Sequence, residues 1–248
     1  MTDEQDFMTV FMAVFERMAR QGPGSAAATR EMFARIPAGE RLDTILDIGC
    51  GSGAASLLLA RLSGGVVTAV DTHQPFLDRL AREAAEQGLG DRIRPVNMSM
   101  DALDFPAGSF DLLWSEGSAY SMGVEKALVA WRPLIRSGGW LFLNDAVWTT
   151  DTPDPECRAF WETEYPDIRP LERFADQARA AGYTVVSTFL QAKDDWDAYI
   201  ADMERQVAWT EQRFGPSPVI DHLRREADIH HRFGEQYTYG GLLLQRRG

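Results

Sequence analysis

Asp47, Gly49, Gly51 and Gly53 fall within one run, Leu46-Asp47-Ile48-Gly49-Cys50-Gly51-Ser52-Gly53, and Asp71 follows Gly49 by 22 residues. Glycine lets a backbone turn sharply and come close to a ligand with no Cβ in the way. An apolar strand ending in such a turn suits a nucleoside. A carboxylate at the end of the next strand can accept hydrogen bonds from both ribose hydroxyls. Asp71 has a second reading, as the N-cap of the helix that follows. The turn alone also fits a dinucleotide, but that fingerprint is G-x-G-x-x-G, whereas this one is G-x-G-x-G followed by Ala54.

A second set mixes carboxylates with aromatic rings: Glu116, Tyr120, Asp145, Trp148, Trp161, Glu162, Glu164 and Tyr165. Such a mixture suits a cationic or amine-bearing ligand through charge and cation–π contacts. Trp161 and Tyr165 are one helical turn apart and can share a face. The competing reading of each aromatic is packing beneath a lid. His230 and His231 precede the last strand and point to different helix faces, so one of them at most reaches a pocket as a base. His73 and His222 read as surface residues. Cys50 reads as a small buried filler in the glycine turn. Cys50 and Cys157 make neither a disulfide framework nor a metal set, and no metal is expected.

The elements that must position these groups alternate. Strands are expected at Thr44–Ile48, Val66–Asp71, Ile93–Asn97, Asp111–Ser115 and Trp140–Val147, with helices at Ala54–Leu62, Pro75–Gln87 and Val124–Arg136 between them. Ser137-Gly138-Gly139 marks the stop of the last of these helices. Helices at Glu156–Glu164 and Leu171–Ala181, strands at Thr184–Leu190 and Thr238–Gln245, and a helical, polar segment over 193–234 complete the pattern. Before it, Phe7, Phe11, Val14 and Met18 recur at helical spacing, Gly22-Pro23-Gly24 breaks that helix, and a second runs from Ala26 to Ile36. The expected fold class is α/β: a doubly wound, seven-stranded, mostly parallel sheet with N-terminal helices (1–40) and a helical cap inserted before the last strand (193–234), all in one domain, 1–248. The 193–234 segment, with Trp196, Tyr199 and Trp209, reads as a cap over the substrate side or as a dimerisation arm.

Taken in order, Asp47-x-Gly49-x-Gly51-x-Gly53, Asp71, Asp101-Ala102 and the strand Phe110–Gly117 resemble the successive motifs of class I S-adenosylmethionine (SAM) methyltransferases. Gln21-Gly22-Pro23-Gly24-Ser25, Trp114-Ser115-Glu116-Gly117 and Tyr237-Thr238-Tyr239 extend the resemblance toward the UbiE/COQ5-like small-molecule group. The resemblance implies a Rossmann-like methyltransferase fold, SAM as cofactor and S-adenosylhomocysteine as product. It implies a cofactor-binding set of Gln21, Asp47, Gly49, Gly51, Gly53, Asp71, Thr72, Asp101, Ala102 and Ser115. Gly49 and Gly51 would line the methionine end, Asp71 the ribose, and Asp101 with the Ala102 amide the adenine edge. Thr72-His73 departs from the apolar pair that many relatives place there.

Methyl transfer from a sulfonium is an in-line displacement, so the protein's part is alignment and desolvation of the nucleophile. A base is needed only where the acceptor arrives protonated. The catalytic candidates are Glu116, Tyr120 and His231, and the substrate candidates are Glu116, Tyr120, Trp148, Trp161 and Tyr165. The expected acceptor is a small molecule, an amine or other cationic metabolite. The alternatives are a thiol, a phenol or a quinone-like carbon, or a partner protein that binds SAM without turnover.

The 25 basic and 37 acidic residues leave a net charge of −12, which disfavours a phosphate backbone as partner. A nucleic-acid methyltransferase would favour a basic face and an Asn/Asp-Pro-Pro-aromatic motif where this chain has Ser115-Glu116-Gly117-Ser118. No apolar run reaches the roughly 18–20 residues that span a bilayer. The acidic start is unlike a secretory signal, so the cytoplasm is the expected compartment. A homodimer is a further expectation.

Overall fold

The computed structural model describes residues 3–247. Helices α1 (Asp3–Phe15) and α2 (Ala26–Phe33) lead into β1 (Thr44–Ile48), α3 (Ala54–Ser63), β2 (Val66–Asp71), α4 (Gln74–Glu86) and β3 (Ile93–Asn97). Next come β4 (Phe110–Glu116), α5 (Val124–Trp131), β5 (Ile135–Trp148), α6 (Pro155–Glu164), β6 (Arg169–Pro170), α7 (Leu171–Ala180) and β7 (Tyr183–Leu190). Two long helices, α8 (Lys193–Phe214) and α9 (Pro218–Phe233), precede β8 (Tyr237–Arg246).

The sheet order is β3-β2-β1-β4-β5-β8-β7, with β6 paired to β5. All pairings from β3 to β5 are parallel, as is β5–β6, and β8 lies antiparallel between β5 and β7. The central strands are buried on both faces, so they read as continuous apolar runs. Ile45, Leu112 and Trp114 face a core closed by α2, α3 and α4. Leu46, Ile48 and Leu113 face the opposite core, under α5 and α7. The alternation follows from the two-residue period of a strand.

Several local expectations are corrected. Helix α5 stops at Trp131 rather than at 136, because Pro133 has no amide hydrogen to continue the ladder. Ile135 already pairs with Phe110, and Ser137-Gly138-Gly139 is an irregularity inside β5 rather than a helix stop. Helix α2 ends at Phe33, and Met18 lies beyond α1 although it is fully buried. The two-residue strand Arg169–Pro170 adds an eighth strand. The 193–234 segment is broken where Gly215, at φ 82°, ends α8, and Ser217 caps α9 ahead of Pro218.

The N-terminal helix is tied to α8. The Ala19 amide donates to Asp202 at 2.9 Å, Arg17 Nε donates to Gln206 at 3.1 Å, and the Arg17 guanidinium sits 3.8 Å from the Trp209 ring centre. Val14, Phe15 and Met18 share a core with Ile200, Met203, Val207, Leu223 and Ala227. This helical layer covers the carboxyl ends of the parallel strands, where ligands bind in open α/β sheets. Among the described residues, no helix is long and apolar enough to cross a membrane.

Candidate functional site

Two connected depressions lie at the carboxyl ends of β1, β2, β4 and β5. The first is a crevice of about 230 Å³ over the glycine turn. The amides of Gly49 and Cys50 donate to Val70 O at 2.9 and 3.0 Å, which folds the turn back onto β2. Gly49 has φ 70°, and a Cβ there would lie 2.4 Å from the Ser118 Cβ, so both conformation and space require glycine. Ser118 in turn donates to Ile48 O at 2.8 Å and shares a 2.7 Å hydrogen bond with Ser115.

Asp71 lines the crevice. Its Oδ2 accepts from the Gly51 amide at 2.9 Å and its Oδ1 from the His73 amide at 2.9 Å. His73, not Asp71, is the N-cap of α4, so the capping expectation is corrected: Asp71 holds the amide of the capping residue, and each of its oxygens keeps a lone pair for a ligand hydroxyl. Asp47 is buried at the far end and accepts from Ser56 Oγ at 2.5 Å. Burial pushes its pKa up to about 7, against the hydrogen bond from Ser56. Beside it Arg20 pairs with Glu116, whose carboxylate also accepts from Thr29 Oγ1 at 2.7 Å and Trp114 Nε1 at 2.8 Å.

The second depression is a cavity of about 390 Å³ under α1, α6, α8 and α9. It shares Gln21, Gly22, Pro23, Phe76, Gly117 and Tyr120 with the crevice. Its walls include Phe11, Phe15, Phe160, Trp161, Trp196, Tyr199 and Tyr239, with Asp145, Glu164, His222 and Glu226 among them. The Tyr165 hydroxyl donates to Asp145, Arg169 donates to that hydroxyl at 2.8 Å, and Arg169 pairs with Asp145 at 3.1 Å. Burial holds the Asp145 pKa above the usual carboxylate range in spite of these partners.

Of the residues expected at the cofactor, Gln21, Asp47, Gly49, Gly51 and Asp71 line the crevice. Gly53 lies behind it, its Cα facing Leu80, whose Cδ1 would be 2.2 Å from a Cβ. Ser115 is fully buried behind Ser118. Thr72, Asp101 and Ala102 are solvent-exposed next to the lining residues Asp71 and Met100. Asp101 Oδ1 is held by Ser99 Oγ at 2.6 Å. Cys50, expected as a buried filler, lines the crevice.

The acceptor-side expectations divide. Tyr120, Trp161 and Tyr165 line the cavity, and Tyr120 stands where it meets the crevice, edge-on to Tyr165 at 5.9 Å. Glu116 lies on the crevice side, its carboxylate bonded to Arg20, Thr29 and Trp114. Trp148 is outside the lining, with Arg158 over its ring at 6.0 Å, and Glu162 faces solvent beside Arg158. His231 is exposed and meets Glu204 at 3.0 Å, because the helix turns it away from the cavity. His230 is buried behind Trp196, bonded to Tyr237 and Asp197. His222, expected at the surface, is the histidine that lines the cavity, 3.6 Å from Glu164.

Arg20, Ser118, Met100 and Glu226 were not singled out by sequence reasoning. A signal for Glu226 existed: it interrupts the buried stripe Val219, Leu223, Ala227, His230 of an amphipathic helix. His222 precedes it by one turn on the same face.

Comparison with known proteins adds to this geometry. The family model described as "Methyltransferase domain" matches residues 45–139. The chain is 30% identical over 230 residues to a nocamycin O-methyltransferase of Saccharothrix syringae, covering 79% of each chain. It is 29% identical over 119 residues to a sarcosine/dimethylglycine N-methyltransferase of Aphanothece halophytica, covering 48% of this chain and 42% of that one. A SAM-dependent methyltransferase from Geobacter sulfurreducens, solved with S-adenosyl-L-homocysteine, superimposes with a TM-score of 0.82 at 20% identity, over 96% of this chain and 98% of that one. The [4+2]-cyclase SpnF shares the fold as well, at a TM-score of 0.76 and 19% identity, over 98% and 94% of the two chains.

Proposed function

This chain belongs to the class I SAM-dependent small-molecule methyltransferases, and on that premise we propose that it methylates a basic nitrogen carried on an apolar or aromatic body. The observation that carries this reading is the aromatic cavity that opens into the crevice at Tyr120 and holds Asp145, Glu164 and Glu226 with no Lys or Arg among its lining residues. A wall of that kind favours a cation and repels carboxylates and phosphates.

The crevice fits SAM by the chemistry of its groups. In this reading Asp71 takes the ribose hydroxyls, Arg20 the methionine carboxylate and Asp47 its ammonium group. Met100 flanks the adenine, whose edge reaches Thr72, Asp101 and Ala102 at the exposed rim. Glu116 orients Arg20. When bound, SAM supplies an electrophilic methyl group on a sulfonium. Tyr120 and the aromatic walls exclude water and align the acceptor. The 193–234 segment serves as the roof of the acceptor cavity. Its use as a dimerisation arm with residues 1–20 would show as a doubled solution mass that falls when those residues are removed.

Similarity to a sarcosine/dimethylglycine N-methyltransferase supports an amine, and the longer match to a nocamycin O-methyltransferase supports a hydroxyl on a larger body as the second reading. A UbiE/COQ5-like methylation of a quinone-like carbon is the third. A screen of amines, phenols, thiols and hydroquinones for S-adenosylhomocysteine release decides among them. Release with amines supports the proposal. Activity on neutral phenols alone overturns the amine assignment, and SAM binding with no turnover on any acceptor leaves the non-catalytic reading.

A further inference from the structure

We propose, resting on the amine reading above, that Glu226 is the acceptor-side carboxylate of this enzyme: it seats the acceptor's ammonium group against the aromatic walls and takes its proton. Glu226 extends from α9 into the cavity, where Trp161, Trp196, Tyr199 and Tyr239 supply ring faces and edges. Its carboxylate has no hydrogen bond or ion pair among the described residues. Asp145 is committed to Tyr165 and Arg169, and Glu164 sits at the more exposed side of the cavity, 3.6 Å from His222.

A half-buried carboxylate facing aromatic walls without a partner is costly, and a cation from outside the protein removes that cost. The titratable groups facing the cavity around Glu226 are Glu164 on α6, Tyr165 just after it, Tyr120 ahead of α5, Asp145 on β5, Tyr199 on α8, Tyr239 on β8 and His222 on its own helix. None of these is a fixed cation. Burial, with help from Glu164, pushes the Glu226 pKa up to about 7. A base of that strength is matched to neutral pH. The proton step balances: one N–H bond of the ammonium breaks, an O–H bond forms on Glu226, the nitrogen keeps the lone pair, and the carboxyl group later releases the proton to water.

The test uses the full chain with S-adenosylhomocysteine present and three probes of one shape: 2-phenylethylamine, 2-phenylethanol and 3-phenylpropionate, followed by calorimetry. The amine should bind best and the anion least, and amine affinity should rise as pH passes through about 7. Glu226→Gln should weaken amine binding about tenfold or more, leave the alcohol unchanged and abolish that pH dependence. Retained S-adenosylhomocysteine affinity in the variant shows that it is folded. Glu164→Gln should change amine affinity by less than about threefold, as an exposed pair would. Equal binding of amine and alcohol, no saturable amine binding, or a loss carried by Glu164→Gln instead would each overturn the assignment. Failure of methyl transfer on every acceptor would retire the amine reading of the enzyme while leaving the binding result for Glu226 standing, so the two failures are distinguishable.

Discussion

Gln21 fastens the glycine turn from outside: its Oε1 accepts from the Ser52 amide at 2.8 Å, while its Nε2 donates to Phe15 O at 3.1 Å. One side chain thus joins the end of the N-terminal helix to the loop that forms the floor of the crevice. A Cβ on Gly51 would meet that same Oε1 at 2.6 Å, so the contact depends on a glycine opposite it. Gln21→Ala leaves the Ser52 amide without its acceptor, at about 1–3 kcal/mol. We expect S-adenosylhomocysteine affinity to fall about tenfold and the segment before Ala26 to become more protease-sensitive. Unchanged affinity and unchanged cleavage would show that the clamp contributes nothing.

Asp71 joins the same loop to the start of α4 through the amides of Gly51 and His73. Its replacement by Ala removes two internal acceptors as well as the proposed ribose contact. Affinity for SAM should fall by about 1.5–3 kcal/mol, tenfold or more. Calorimetry showing wild-type SAM affinity in Asp71→Ala would refute the ribose assignment.

The parts of this architecture that are local were legible in the sequence. The first three strands were bounded correctly because short segments carrying Val, Ile or Thr end at or just before glycine, aspartate or asparagine, even where, as in the edge strand β3, little of the segment is buried. The glycine turn was legible because its φ > 0 positions admit little else. What escaped was set by distance or by tertiary override. Arg20 and Glu116 are 96 residues apart, and nothing local to either marks the pair. Ser137-Gly138-Gly139 has the composition of a helix stop, yet β4 draws it into a strand as an irregularity. His222 and His231 look alike in sequence, and only the rotation of α9 against α6 and α8 decides which one meets the cavity. Trp148 sits two residues past Ala146, the last residue of β5 to line the cavity, and under an arginine rather than a ligand.

Asp47 makes stability and cofactor affinity depend on pH in opposite senses. Its folded pKa, about 7, lies above its ordinary 3.8, so the native state binds more protons between those values. Its stabilising contribution is complete below about pH 4 and is lost as pH rises through about 7. Glu226, raised from 4.5 to about 7, acts with the same sign. His230, whose pKa burial lowers, acts the other way over part of this range, so the comparison must be made against a variant. Relative to wild type, Asp47→Asn should gain on the order of 2–4 kcal/mol between pH 5 and pH 8 in urea unfolding. Wild-type affinity for SAM should rise with pH as Asp47 ionises, and the variant should lose that slope. A variant as pH-sensitive as wild type in both measurements would show that Asp47 is not the titrating group.

Glu116 separates the two roles that its place at the end of β4 allows. A general base must present a free carboxylate to the acceptor, whereas this one accepts from Arg20, Thr29 and Trp114 and lines the crevice. Glu116→Gln should therefore act through Arg20. The guanidinium loses its counter-charge in a site where the two side chains are 21% and 13% exposed, at a cost of about 1–3 kcal/mol. We expect the KM for SAM to rise about tenfold, while turnover at saturating SAM changes less than about threefold. In a double-mutant cycle with Arg20→Met, the two effects should be less than additive, because either change already breaks the pair. The opposite split, turnover reduced about a hundredfold or more with SAM affinity intact, would fit the loss of a general base and would return Glu116 to the acceptor side.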